Sequence, residues 1–199
     1  MAKPKTNRII RLAAQGHLLR SKEVSSLGIP RNYLSRFVRK GLLKRVGRGL
    51  YASDSFPITE HLSLIEATAR VPKGAICLLS ALEFHKLTTQ IPHQVWMAID
   101  VKAWTPRINY PPIRFVRMSG VAFQFGVKEY PVRGGTVRAY SVAKTVADCF
   151  KFRNKVGTDV ALEALRECRR LKKASMDDLW AAAKICRVAN VMRPYLESL

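Results

Sequence analysis

Acidic residues are scarce in this 199-residue chain: 14 Asp+Glu stand against 35 Lys+Arg, which leaves a formal net charge of +21. That imbalance excludes an acidic solvating tail and calls for a polyanionic partner, DNA or RNA ahead of a lipid surface. Long apolar runs are absent too. No stretch reaches the roughly eighteen residues of a membrane-spanning helix. The start, MAKPKTNRII, is charged and lacks the continuous apolar core of a signal peptide. A cytoplasmic protein with no membrane partner is expected. Cysteine is sparse and badly spaced for a metal: Cys77, Cys149, Cys168 and Cys186 form no C-x-x-C and no Cys/His ligand pattern. Neither a structural zinc nor a disulfide scaffold is expected, and no cofactor. All four lie in apolar-periodic segments, as reduced core thiols do. No P-loop, G-x-S-x-G, H-E-x-x-H or G-x-G-x-x-G occurs.

What remains is a chain with 48% hydrophobic residues, enough to build cores in one or two domains. Its charge is uneven. Residues 1–56 carry 13 basic and 2 acidic side chains, residues 57–199 carry 22 and 12. The turn-rich stretch at residues 53–57 follows a strand-like run, so the boundary is placed there, giving domains 1–56 and 57–199.

In the first part, Thr6 or Asn7 can cap a helix through about Gln15 that ends at Gly16. Ser21 can cap a second, with Glu23 in its first turn, stopping at Leu27-Gly28. A third is expected from Pro30 to Lys40, closed by Gly41. On a wheel of about 100° per residue, Arg31, Asn32, Ser35, Arg36, Arg39 and Lys40 share one half of it, and Tyr33, Leu34, Phe37 and Val38 the other. The apolar half can pack. The polar half has the chemistry of a major-groove helix: guanidinium forks for guanine O6/N7 or phosphate, and an amide able to read adenine. Two short strands follow, residues 43–46 and 50–52, around a tip at Gly47-Arg48-Gly49. Helix, helix, basic helix and hairpin are the layout of a winged helix-turn-helix. Arg48 would sit at the wing tip near a minor groove or phosphate, with Lys44 and Arg45 beside it.

The larger part reads as helix over 60–70, mostly helix over 75–87, strands over 95–99, 113–118, 123–132 and 136–140, then helices capped by Ser141, by Thr158 or Asp159, and by Ser175, with a last helix over 190–199. Strands followed by helices make the fold class α+β. Lys144 and Asp148, four apart on one helix, read most simply as a surface ion pair. His61, His85 and His93 read as satisfied or surface histidines. Asp100-Val101-Lys102 matches the acid-x-Lys element of metal-dependent nucleases, with Glu83 as a second acid. In a chain of this composition about one such spacing arises by chance.

Three stretches resemble a known family. SKEVSSLGIPRNYLSRFVRKGLLKRVGRGLY, LLSALEFHKLTTQIP and RAYSVAKTVADCFKFRNKVGTDVALEALRE are similar, in this order, to AbiEi-type antitoxins. The resemblance implies a bacterial type IV antitoxin and no enzyme. Its N-terminal winged helix would bind inverted repeats in double-stranded DNA of its own promoter and repress it. Its C-terminal domain would oppose a nucleotidyltransferase-like toxin acting on RNA, without a stable complex. Arg31, Asn32, Ser35, Arg36, Arg39 and Arg48 carry over as DNA-facing positions. Dimerisation or cooperative binding on the operator is a further expectation. Two alternatives stay open: a nuclease using Asp100 and Lys102, and a transcription factor whose C-terminal part senses a ligand.

Overall fold

The computed structural model describes residues 4–14, 18–47, 49–53 and 59–198. The fold is α+β and divides into two compact units, residues 1–70 with 131–137, and residues 71–130 with 138–199. The turn at residues 53–57, on which the sequence reading sets its boundary, falls almost wholly outside the described residues.

The first unit opens with α1 (Pro4–Ala14), β1 (Leu19–Arg20), α2 (Ser21–Ser26) and α3 (Asn32–Arg39). β2 (Lys44–Gly47), β3 (Leu50–Ala52) and α4 (Leu62–Arg70) follow. Ile9 and Ala13, one turn apart on α1, point inward with Val24, Ile29, Leu34, Phe37 and Leu43, and these form one core. β1, β3 and β2 pair antiparallel in that order, with Leu19 opposite Tyr51 and Lys44 opposite Ala52. The two-residue β1 is an addition to the sequence reading; so short a strand has no period to detect.

α3 begins later than expected. Pro30 and Arg31 form a turn in which Tyr33 N–H donates to Pro30 O and Leu34 N–H to Arg31 O, so regular helix starts at Asn32. Its end is as expected. Gly41 has φ +68°, its N–H donates to Val38 O, and Leu42 N–H reaches back to Phe37 O. That pair of bonds is a Schellman closure. A Cβ at Gly41 would meet open space, so the positive φ alone asks for glycine there.

The second unit contains β4 (Ala75–Ile76), α5 (Leu78–Phe84), β5 (Val95–Asp100), β6 (Ile113–Met118) and α6 (Gly120–Gln124). Next come β7 (Val127–Val132) and β8 (Gly135–Tyr140), whose residues 131–137 count with the first unit, then α7 (Val142–Lys151), α8 (Arg153–Val156), α9 (Thr158–Arg170), α10 (Met176–Ile185) and α11 (Ala189–Glu197). The sheet order is β6-β5-β4-β8-β7, mixed, with β5–β6 and β4–β8 parallel and β4–β5 antiparallel. Two expectations need correction. The apolar run from Ala75 is not mostly helix from its start: Ala75 and Ile76 pair with Ala98 and Met97 as a central strand, and helix begins only at Leu78. The strand expected from Phe123 begins at Val127. The residues before it form α6, and Gly126, at φ +73°, turns the chain between them.

Side-chain caps mark the starts of α7 and α10. Ser141 Oγ accepts from Lys144 N–H. Ser175 and Asp178 form a full capping box, side chain to backbone in both directions. α9 is an exception to the reading. Its cap position is Gly157, at φ +101°, and Asp159 lies within the first turn, where the helix dipole favours an anion.

α7 packs against α5, α9, α10 and α11, and every residue from Ala143 to Phe150 is buried. Lys144 and Asp148 are therefore not a surface pair. Both are fully buried and bonded to each other, Nζ to Oδ2. The ammonium also lies 4.3 Å from the centre of the Tyr140 ring, and Cys186 Sγ donates to Asp148 Oδ1 at 3.3 Å. An i,i+4 spacing is the same on a wet or a dry face, so the sequence pattern cannot tell the two apart. The four cysteines are free and buried, and burial, helped by the Asp148 charge, pushes the Cys186 thiol up to about 12. Neutral thiols are unreactive ones.

Candidate nucleic-acid interface

No Asp or Glu occurs between Glu23 and Asp54, a span that holds α3 and the β2–β3 hairpin. α3 splits as the wheel requires. Leu34 and Phe37 are buried, Tyr33 and Val38 are partly so, and the Tyr33 and Phe37 rings meet edge to face at 6.3 Å. Asn32, Ser35, Arg36 and Arg39 are exposed on the helix, Arg31 is exposed in the turn before it, and Lys40 is exposed at its C-cap. Arg31 thus extends the basic face from a turn, not from the helix proper. Buried Leu34 and Phe37 hold α3 against the core, so the opposite face projects from a fixed support.

The hairpin adds Lys44 and Arg45, both exposed, on β2. Arg48, expected at the tip, lies outside the described residues. The root of the hairpin is anchored: Ser21 N–H donates to Gly49 O at 2.8 Å. Gly49 has φ +74°, and a Cβ there would come 3.0 Å from Ser21 Oγ. Only glycine suits that approach. The contact ties the wing to the first turn of α2, where Lys22 is exposed. Lys22 was not among the expected positions. Its signal was available in its place in the first turn of α2, beside the wing. Arg36→Ala is expected to weaken binding by about 1–3 kcal/mol and relax base preference at one position per half-site. Lys44→Ala should weaken all sequences alike. Titrations against single-base operator variants check the contrast, since each change removes one charge.

The other candidates do different work. Asp100 Oδ1 accepts Lys102 N–H at 2.8 Å, closing a turn after β5, while the Lys102 side chain is exposed. Among the described residues no three His, Cys, Asp or Glu side chains converge to hold a metal ion. His85 is buried, with Nε2 2.7 Å from Tyr140 O, and burial holds its pKa below the ordinary value. His61 lies 3.4 Å from Glu60, and His93 is exposed. Arg153 donates to Phe150 O at the end of α7, so this cation serves a helix C-terminus. No helix among the described residues is long and apolar enough to cross a membrane.

Comparison with known proteins agrees with this geometry at the N-terminus. Residues 7–53 match the family described as a transcriptional regulator, AbiEi antitoxin. Over 92% of its length the chain also shares a fold with the RV2827C protein from Mycobacterium tuberculosis, with a TM-score of 0.56 and 13% identity, covering 72% of that chain. No curated protein matches it in sequence.

Proposed function

With an N-terminal domain of the AbiEi antitoxin-regulator type as premise, we propose that this chain is the antitoxin and autorepressor of a type IV toxin–antitoxin operon. The observation that carries the reading is the exposed face of α3: Arg31, Asn32, Ser35, Arg36, Arg39 and Lys40 gathered on one side, with no acid among them, over a buried Leu34–Phe37 support. In this reading α3 enters the major groove of double-stranded DNA. Lys44, Arg45 and the wing grip adjacent phosphates, and specificity comes from the short polar and guanidinium groups of the helix. Inverted repeats in the promoter would be occupied by two copies, as a dimer or cooperatively. The second unit opposes a nucleotidyltransferase-like toxin without a lasting complex. All of this takes place in the cytoplasm and needs no cofactor.

The two activities are expected to separate by mutation. Arg36→Ala with Arg39→Ala removes two exposed cations and leaves the core of the first unit intact. In cells carrying the toxin gene and a promoter reporter, this variant should release the reporter at least tenfold while still restoring growth. Loss of rescue together with repression would show that antitoxicity runs through DNA binding. A variant that keeps both repression and rescue would refute the assignment of α3.

A further inference from the structure

Between β5 and β6 the second unit presents a loop that operator binding leaves unused. Residues 101–118 hold Lys102, Arg107, Arg114 and Arg117 and no Asp or Glu. Trp104 is 83% exposed and Tyr110 59%. The loop is not merely hanging from the sheet. The Arg117 guanidinium, from β6, donates to Val101 O at 2.7 Å, Ala103 O at 3.0 Å and Thr105 Oγ1 at 2.8 Å. Val101 N–H donates to Met118 O, Ala103 N–H to Asp100 O, and Lys102 N–H to the Asp100 carboxylate. Both sides of Trp104 are therefore tied back to the sheet, and the indole is held out in water on an anchored backbone. Beside it lies an open cleft of about 620 Å³ that includes Lys102, Trp104, Thr105 and Arg117 in its walls.

An anchored, exposed aromatic ring beside a cleft walled by cations and by no Asp or Glu fits one class of partner. A π face takes any unpaired base, and ammonium and guanidinium groups take the phosphates on either side. Duplex DNA keeps its base faces stacked internally and offers nothing to such a ring. A protein partner would ask for a broad apolar patch, whereas the cleft beside this indole interleaves Lys102, Thr105 and Arg117 with only the small apolar side chains of Val101 and Ala103. We propose that the Trp104 loop is a single-stranded nucleic-acid site, in which Trp104 stacks on an unpaired base and Lys102 and Arg117 meet the flanking phosphates. The site is independent of the operator-binding reading. RNA and single-stranded DNA share the chemistry it recognises.

The test titrates the full chain with fluorescein-labelled 12-nucleotide oligouridylate and oligothymidylate, with the promoter duplex in parallel. Binding is followed by anisotropy and by tryptophan emission. Trp96 is buried and Trp180 half-buried, so quenching reports chiefly on Trp104. Both oligonucleotides should bind and quench. Trp104→Ala should weaken them about 5- to 150-fold and remove the quench, while Trp104→Phe, which keeps a stacking ring, should retain most of the affinity. Promoter-duplex affinity should stay within twofold in both variants, which also reports that they are folded. Tighter binding of the uridylate would place a ribose 2′-hydroxyl in the site, and equal binding would mean that base and phosphate suffice. Oligonucleotide affinity unchanged in Trp104→Ala, saturation without quenching, or a loss that Trp104→Phe fails to restore would overturn the proposal, whatever the promoter arm shows.

Discussion

Lys144→Ala is expected to cost the second unit about 3–5 kcal/mol, the usual penalty for leaving a buried charge without its partner. The cause is local. Asp148 is fully buried, Lys144 is its ion-pair partner, and Cys186 supplies only a weak S–H donor to the other oxygen. Burial pushes the Asp148 carboxyl above its ordinary range, and Lys144 is the main group resisting that rise. Without Lys144 the folded-state pKa climbs further above the unfolded one. A carboxyl raised in this way contributes stability below its unfolded pKa and loses it as pH rises towards the folded value. The deficit of the variant should therefore be smallest near pH 4 and largest at neutral pH. Lys144→Met combined with Asp148→Leu should lie between neutral and about 4 kcal/mol stabilising, because both desolvation costs vanish together. Urea denaturation at pH 4 and pH 7 measures all of this. A single variant as stable as the parent at both pH values would show that water reaches Asp148.

Salt should have an effect of comparable size on DNA binding. In the proposed interface the exposed cations Arg31, Arg39, Lys40, Lys44 and Lys22 meet phosphates, while Arg36 reads a base. Five such contacts give a slope of about −4.5 in log affinity against log salt, a loss of a few hundredfold between about 50 and 200 mM. Single substitutions among the phosphate-contacting residues should each flatten the slope by about 0.9. The measurement is a titration of promoter duplex at four or five salt concentrations. A slope near zero would remove all five from the interface.

Some of this was legible in the sequence, and for physical reasons. The polar and apolar halves of α3, the stop at Gly41 and the caps Ser141 and Ser175 are local rules, each set by a few neighbouring residues. β1 and β4 were not legible, because two-residue strands carry no period and exist only through pairing with residues distant in sequence, Tyr51 and Leu50 for β1, Met97, Ala98 and Ala139 for β4. α6 was hidden in a run that alternates well enough to read as strand, and Gly126 was the signal that divides it. The i,i+4 spacing makes the Lys144–Asp148 pair legible but not its burial, which depends on what α5, α9, α10 and α11 do around it. In the winged helix, Asn32, Ser35 and the arginines came from the wheel. Lys22 needed the Ser21–Gly49 contact to bring it beside the wing. Trp104 had only the cations of residues 101–118 to suggest it, and its exposure is a property of the fold.

In the proposed function the α3 face reads DNA ahead of this chain's own reading frame. Hydroxyl-radical footprinting of that DNA, with the parent protein and with Arg36→Ala, Arg39→Ala, measures it most directly. Two protected half-sites are expected on an inverted repeat, centred about one helical turn or a multiple of it apart. The variant is expected to lose that protection at concentrations where the parent saturates. Uniform protection without a preferred site, or the same footprint from parent and variant, would contradict that reading.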